Sequence, residues 1–179
     1  MGVDKMEVLT TLSQLSPVAG RFETIIAEDR TMAIVDYAHT PDALENVLET
    51  IEELRRDEQR VVVVCGCGGD RDRSKRPEMA AIALRYATTA IFTSDNPRTE
   101  SAEAILDDMV AGVGDKSNYL RITDRREAIR TATMVAHAGD IIVVAGKGHE
   151  DYQIIGTTKH HFDDREEVRA AFTTTHKLN

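Results

Sequence analysis

The chain has 179 residues, of which 41% are hydrophobic and 30% charged, and its formal net charge is −9. This length and balance are typical of one globular domain and exclude a disordered chain. The longest apolar runs, Val61–Cys65 and Ile141–Ala145, are far too short to span a membrane, and the first residues lack the apolar core of a signal peptide. The acidic excess argues against binding to nucleic acid or to anionic membranes.

Cysteine usage indicates a reducing compartment. The only two cysteines, Cys65 and Cys67, are separated by one residue. They are too close for an unstrained disulfide, and two thiols are too few for a structural zinc site. We therefore predict a cytoplasmic protein without a metal site.

The first twenty residues differ from the rest of the chain. Apolar residues at positions 6, 8, 9, 12 and 15 form a short helical stripe, which Ser16 and Pro17 end. A stripe with so little to pack against suggests the end of a larger unit. We expect residues 1–20 to be the remnant of a junction and residues 21–179 to form the domain itself.

From residue 21 onward, strand-like and helix-like segments alternate. Apolar runs and turn residues predict strands over residues 22–27, 32–35, 61–65, 88–93, 119–122, 141–145 and 152–155. Capping residues and 3.6-residue periodicity predict helices over residues 41–56, 77–87, 102–110, 124–139 and 164–172.

The order of these elements predicts the fold class. Helices of about 10–15 residues between strands imply parallel pairing through right-handed crossovers. The first two strands are joined by the polar turn 28–30, which favours an antiparallel pair. The sequence thus predicts an α/β fold with a Rossmann-like open sheet, mostly parallel, flanked by helices and antiparallel at one edge.

Four polar loops follow the predicted parallel strands, at residues 36–42, 65–77, 94–100 and 145–153. Ligands of such sheets bind outside the carboxyl ends of the strands, so we expect these loops to form one site. Neither common phosphate-binding loop is present, because Arg71 replaces the third glycine of a dinucleotide fingerprint and no Walker A sequence occurs. The alternative, that Gly66, Gly68 and Gly69 only permit a tight turn, remains open.

The charges of these loops suggest the kind of ligand. Five cations stand at this edge of an acidic chain, close to several carboxylates: Arg71, Arg73, Lys75, Arg76 and Arg98. Such a mixture suits a zwitterion that carries carboxylate and ammonium groups, and arginine can bind a carboxylate with two hydrogen bonds. A solvated cluster of salt bridges is the alternative.

Six ordered motifs cover nearly the whole chain: Pro17–Glu23, Val35–Asp42, Gly66–Asp72, Lys75–Pro77, Asp95–Arg98 and Gly146–Gln153. In these motifs the chain resembles the C-terminal domain of the Mur ligase family. The resemblance implies an ATP- and Mg²⁺-dependent, amide-bond-forming ligase of peptidoglycan synthesis, which acts through an acyl phosphate. It also implies that the P-loop lies in a central ATPase domain outside this sequence, so that residues 1–20 end at that junction and the chain alone is not competent.

The resemblance also implies the substrates and the residues that bind them. The ligase would add meso-diaminopimelate to UDP-MurNAc-L-Ala-D-Glu. The residues carried over by motif to the incoming amino acid are Arg71, Asp95, Asn96, Pro97, Arg98, Gly146 and Glu150. Arg98 completes an Asp-Asn-Pro-Arg motif, and its guanidinium suits the distal carboxylate that meso-diaminopimelate has and lysine lacks.

Three further residues are expected to face ATP when the domains close, namely Arg21 at the phosphates and Asp36 and His39 near the ribose and base. No catalytic base is assigned, because catalysis of this kind consists mainly of positioning and electrostatic stabilisation. Lys75 and Lys147 are supporting cations without an assigned role.

Three alternatives remain open. The chain could be a stand-alone amino-acid-binding or regulatory module without catalysis, or part of a lysine-adding ligase of the same family. A nucleotide-dependent oxidoreductase is disfavoured by the broken glycine fingerprint.

Overall fold

The structure, a computed structural model, describes Thr11 and residues 20–175. The expected helical stripe and the junction remnant therefore lie outside the described residues, apart from Thr11 and Gly20. The strands are β1 (Glu23–Ile26), β2 (Met32–Asp36), β3 (Val61–Cys65), β4 (Thr89–Phe92), β5 (Tyr119–Arg121), β6 (Ile141–Ala145), β7 (Tyr152–Ile155) and β8 (Thr158–His161). The helices are α1 (Pro41–Leu54), α2 (Lys75–Tyr86), α3 (Ala102–Val110), α4 (Arg125–Val135) and α5 (Asp164–Thr175).

Six strands form one sheet in the order β1-β2-β6-β3-β4-β5. Strand β1 pairs antiparallel with β2, and all other neighbours are parallel. This confirms the predicted mostly parallel sheet with an antiparallel edge. Strands β3 and β6 are buried along their whole length, as expected for continuous β-branched runs at the centre of a parallel sheet.

The helices cover both faces of the sheet. Helices α1, α2 and α3 pack on one face through buried residues such as Leu48, Met79 and Leu106, whereas α4 and α5 cover the other through Ile129 and Phe172. Strand β6 returns to a place between β2 and β3. The connection from β5 to β6 crosses the sheet in the direction opposite to the earlier connections. Because such connections are right-handed, its helix, α4, lies on the opposite face of the sheet from α1, α2 and α3. The loops after β3 and β6 therefore diverge and open a crevice between them.

Local caps form where the sequence predicts them. The Thr40 side chain accepts a hydrogen bond from the backbone of Ala43 at the start of α1, and Asp124 accepts one from Glu127 at the start of α4. Among the described residues, no helix has the length and apolar character that would carry it across a bilayer.

One predicted boundary is wrong, and one strand is missing from the prediction. Helix α4 ends at Val135 rather than at residue 139, because the Asp140 carboxylate accepts hydrogen bonds from the backbone of His137 and of Arg60 and holds this segment as a turn. Strand β8 was not predicted. It forms a hairpin with β7, and all its residues are exposed, so it lacks the alternation of apolar and polar residues that indicates a strand.

Candidate functional site

The four polar loops line one cleft of about 610 Å³ at the carboxyl edge of the parallel strands. The predicted site residues that line it are His39, Arg71, Asp95, Asn96, Arg98, Gly146 and Glu150. Arg21, Asp36 and Pro97 are not part of this lining. The topology thus brings together side chains that are more than a hundred residues apart in the sequence.

The Asp95–Arg98 loop is held in place by the hairpin of β7 and β8. The backbone N–H of Arg98 donates to the Ile154 carbonyl at 3.0 Å, and the Gly156 N–H donates to the Arg98 carbonyl at 2.7 Å. The Gln153 side chain donates to the Asp95 carbonyl at 2.6 Å. Strand β7 therefore fixes the position of the loop from outside the main sheet. Gln153 belongs to one of the recognised motifs, but nothing local in the sequence indicates this contact.

Arg98 presents an uncompensated positive charge in the cleft. Its backbone has a φ of 52°, in the left-handed region, and its Nη1 donates to the Gly69 carbonyl at 2.8 Å. Within residues 20–175, no carboxylate forms an ion pair with Arg98. A bound anion can therefore supply the missing counter-charge.

The five cations of this edge divide into two groups. Arg73 and Arg76 are committed to ion pairs, Arg73 with Asp108 at 2.9 Å, and Arg76 with Glu100 at 2.7 Å and Asp108 at 2.8 Å. Across the described part of the chain, the other three have no ion-pair partner and line the cleft: Arg71, Lys75 and Arg98. The salt-bridge interpretation thus holds for two of the five cations.

The ion pair between Arg76 and Glu100 joins the first turn of α2 to the loop after β4. Two hydrogen bonds from Arg76, together with one from the Asp70 backbone, lower the pKa of Glu100 from its ordinary 4.5 to about 2. A carboxylate with a lowered pKa stabilises the folded state above its unfolded pKa and loses that contribution as it is protonated. The ion pair between Arg76 and Glu100 therefore makes its full contribution to stability near neutral pH.

We expect the Glu100→Gln variant to reveal this contribution. Its stability deficit relative to the wild type should be largest near pH 7 and should shrink as the pH falls from about 4.5 to about 2. Urea unfolding followed by circular dichroism at several pH values measures the difference. A deficit that is constant across this range would contradict the lowered pKa.

An acidic group lines the same cleft as these cations. Lys147 is fully buried, and its Nζ lies 3.0 Å from the Asp95 carboxylate and 3.9 Å from that of Glu150. Asn96 donates from Nδ2 to Glu150 at 3.0 Å. Two carboxylates and one ammonium leave a net negative charge at this end of the cleft. Burial and the nearby Glu150 carboxylate raise the pKa of Tyr152, so its phenol stays neutral.

The residues expected to face ATP occupy different places. Both carboxylate oxygens of Asp36 are used by backbone N–H groups, those of Phe22 at 2.7 Å and Ala38 at 2.8 Å. Asp36 therefore joins the start of β1 to the end of β2. His39 is exposed at the cleft wall, with its ring 4.6 Å from that of Tyr37. Arg21 is exposed on the segment before β1.

The arrangement of charges in the cleft suits binding of a zwitterion. Burial raises the pKa of Cys65 to about 12 and raises that of Cys67 as well, so neither thiol is an activated nucleophile. No group of three potential metal-binding His, Cys, Asp or Glu residues occurs within the described ranges. The cleft is lined both by cations without an ion-pair partner and by a group of net negative charge.

The chain is similar in sequence and in fold to known ligases. The family model described as "Mur ligase, glutamate ligase domain" matches residues 20–148. The UDP-N-acetylmuramoyl-L-alanyl-D-glutamate–2,6-diaminopimelate ligases of Bacillus cereus and Parabacteroides distasonis are each 54% identical, over 96% and 97% of this chain and 34% and 36% of their own lengths. A solved structure of a ligase with this name superposes with a TM-score of 0.82 at 48% identity, covering 91% of this chain and 33% of that one. The chain thus spans about a third of the relatives' length.

Proposed function

The chain belongs to the Mur ligase family, and we propose that it is the C-terminal, amino-acid-binding domain of a ligase that adds meso-diaminopimelate to UDP-MurNAc-L-Ala-D-Glu. The names of its 54% identical relatives, which are 2,6-diaminopimelate ligases, support this substrate. The observation that carries the proposal is Arg98, which lines the cleft without a carboxylate partner in the described part of the chain.

The charges of the amino acid match the cationic and acidic groups that line the cleft. Meso-diaminopimelate has a carboxylate and an ammonium at each end, whereas lysine ends in an ammonium alone. The Arg98 guanidinium would bind the distal carboxylate with two charge-assisted hydrogen bonds, and Glu150 would attract the adjacent ammonium. Lysine would leave Arg98 unpaired and bring a second cation towards it, so discrimination rests on both attraction and repulsion.

The rest of the reaction would need parts outside this chain. The sequence has no P-loop and spans about a third of its relatives, so we propose that ATP and Mg²⁺ are bound mainly by another domain of a complete cytoplasmic ligase. There ATP would activate the dipeptide carboxylate as an acyl phosphate, which the amine attacks with release of phosphate. His39 and Arg21 would approach the nucleotide when the domains close. Asp36 would hold the segments that carry Arg21 and His39 through its contacts with the Phe22 and Ala38 backbone.

This domain would contribute to that step mainly by orientation. It would hold the amino group towards the acyl phosphate and exclude water from the intermediate, and both effects raise the rate without a general base. Pro97 and Gly146 carry no charge and would contribute to binding through the backbone shape of their loops. The φ of 120° at Gly146 and its proximity to the Asp95 carboxyl group fit a close approach of backbone to ligand.

We expect calorimetric titration of the chain to detect meso-diaminopimelate and to show L-lysine binding about 10- to 100-fold more weakly, as expected for one lost charge-assisted contact. Arg98→Ala should abolish this difference. Alanine and arginine suffer the same backbone strain at a φ of 52°, so the variant should keep the loop conformation.

Arg121→Ala is the matched control, because Arg121 is paired with Glu103 and Asp107 at the surface and does not line the cleft. It should bind like the wild type. Equal affinity for L-lysine would contradict the specificity and favour a lysine-adding ligase. A folded wild-type chain that binds neither amino acid would contradict amino-acid binding by this domain on its own.

A further inference from the structure

Lys147 has no exposed surface and contacts three residues that line the cleft, Asp95, Asn96 and Tyr152. Its ammonium donates to the Asn96 side-chain oxygen at 3.0 Å and to the Tyr152 carbonyl at 2.8 Å, and the Asp95 carboxylate lies 3.0 Å away. The ammonium thus makes two hydrogen bonds and has a carboxylate beside it as its ion-pair partner. Such a cation is tolerated in the interior only with this degree of pairing. Because Lys147 has no exposed surface, it is poorly suited to bind a ligand directly.

The contacts of Asn96 determine the orientation of its amide. The side-chain oxygen accepts from the Lys147 ammonium and from the Ile154 backbone N–H at 2.9 Å. The amide nitrogen donates to the Glu150 carboxylate at 3.0 Å on the other side. In the reverse orientation the NH₂ group would point at the two donors, Lys147 and Ile154, and the oxygen would point at the Glu150 carboxylate. All three hydrogen bonds would then be lost.

This orientation decides which group the cleft offers to a ligand. The Asn96 amide nitrogen has two hydrogens, and one is used by Glu150. Within the described residues, the second has no protein acceptor, and Asn96 lines the cleft together with Arg98. An N–H beside a guanidinium attracts a carboxylate, whereas a carbonyl oxygen in that place would repel it.

We propose that Lys147 is a positioning residue, which acts through Asn96 to make the cleft present an N–H donor beside Arg98 to the carboxylate of the amino acid. This inference rests on the proposed function and adds the residue that sets the polarity of the site. Lys147 itself touches no reacting atom in this scheme.

The test combines a ligand-free measurement with a binding measurement on the same chain. In nuclear magnetic resonance spectra, the Asn96 side-chain NH₂ of the wild type should exchange slowly with solvent. In Lys147→Met, which keeps the side-chain length but removes the charge, this exchange should accelerate. The dissociation constant for meso-diaminopimelate should rise about 10- to 100-fold.

Lys116→Met is the matched control, since Lys116 also donates to a carbonyl, that of Leu84, but does not line the cleft. It should match the wild type in both measurements. A folded Lys147→Met variant with unchanged exchange and unchanged affinity would overturn the proposal.

A second variant keeps the proposal testable if Lys147→Met does not fold. Asn96→Asp retains an oxygen towards Lys147 and Ile154 but removes the donor to Glu150 and to the ligand. It should lose binding by a similar factor, and wild-type affinity would overturn the proposal. If the wild-type chain binds no meso-diaminopimelate, the proposed function fails, whereas the exchange rate of Asn96 still decides whether Lys147 orients the amide.

Discussion

Replacement of Arg125 by methionine should lower the free energy of unfolding by about 3–5 kcal/mol, because it leaves a buried carboxylate without its partner. Arg125 and Asp164 are both almost completely buried, and two parallel hydrogen bonds of 2.8 and 2.7 Å join them. Burial opposes the charge of Arg125, but the Asp164 carboxylate outweighs this effect and raises the pKa of the guanidinium. The guanidinium therefore stays charged, and loss of either member of the buried pair is costly.

The same guanidinium also connects the ends of two strands that carry site loops. It donates to the Ala145 carbonyl at 3.0 Å and to the Ser94 carbonyl at 3.5 Å. These residues immediately precede the Asp95 and Gly146 positions of the cleft. The Arg125→Met variant should therefore loosen the site as well as the fold.

Urea unfolding at pH 7 measures the effect, and two variants isolate its cause. Arg125→Met combined with Asp164→Leu should recover most of the stability, because no unpaired charge remains. Arg126→Met is the surface control. Arg126 forms a similar two-bond pair with Glu167 but is largely exposed, so its loss should cost only about 0–1 kcal/mol. An equally small cost for Arg125→Met would contradict the structural role of the buried pair.

The Gly69→Ala substitution should destabilise the chain by about 1–3 kcal/mol and should also impair binding of meso-diaminopimelate. A Cβ atom at Gly69 would lie 1.8 Å from the Pro97 carbonyl oxygen, a backbone atom that cannot rotate away. Gly69 also donates to the Asn96 carbonyl at 2.9 Å and accepts from Arg98. The added methyl group would therefore push the Asp95–Arg98 loop away from its present position.

Thermal unfolding and calorimetric titration of the same samples test both parts of this expectation. Gly114→Ala is the control, because Gly114 has a positive φ of 59° but open space around its Cβ position. It should lose about 1 kcal/mol of stability through backbone strain and should bind like the wild type. If Gly69→Ala lowered stability but left binding unchanged, the contact between the two loops would not position the site.

Much of the fold could be predicted because local patterns and global packing agree. The continuous β-branched runs of β3 and β6 predict buried central strands, and the Thr40 and Asp124 caps mark helix starts that the structure contains. Strand β8 could not be predicted, because it is exposed and exists only through its pairing with β7.

The candidate site was predictable at the level of loops but not of individual charges. Arg71 and Arg76 are five residues apart, have the same side chain and both line the cleft, yet Arg71 has no ion pair whereas Arg76 is buried and paired with Glu100 and Asp108. The partners of Arg76 are 24 and 32 residues away along the chain. The sequence indicates only that Lys147 is a cation of this edge. Its contacts with Asn96 and Asp95 join loops about fifty residues apart, so no local pattern predicts them.

By itself, the amino-acid sequence determined the alternation of strands and helices, their parallel order and therefore the edge at which the polar loops meet. These features depend on periodicity, capping and the handedness of crossovers, which act over short stretches of chain. Only the tertiary structure decided which charges are neutralised and which remain for a ligand. Ion pairing and burial depend on side chains that the fold brings together from distant parts of the chain, and no local pattern records those distances.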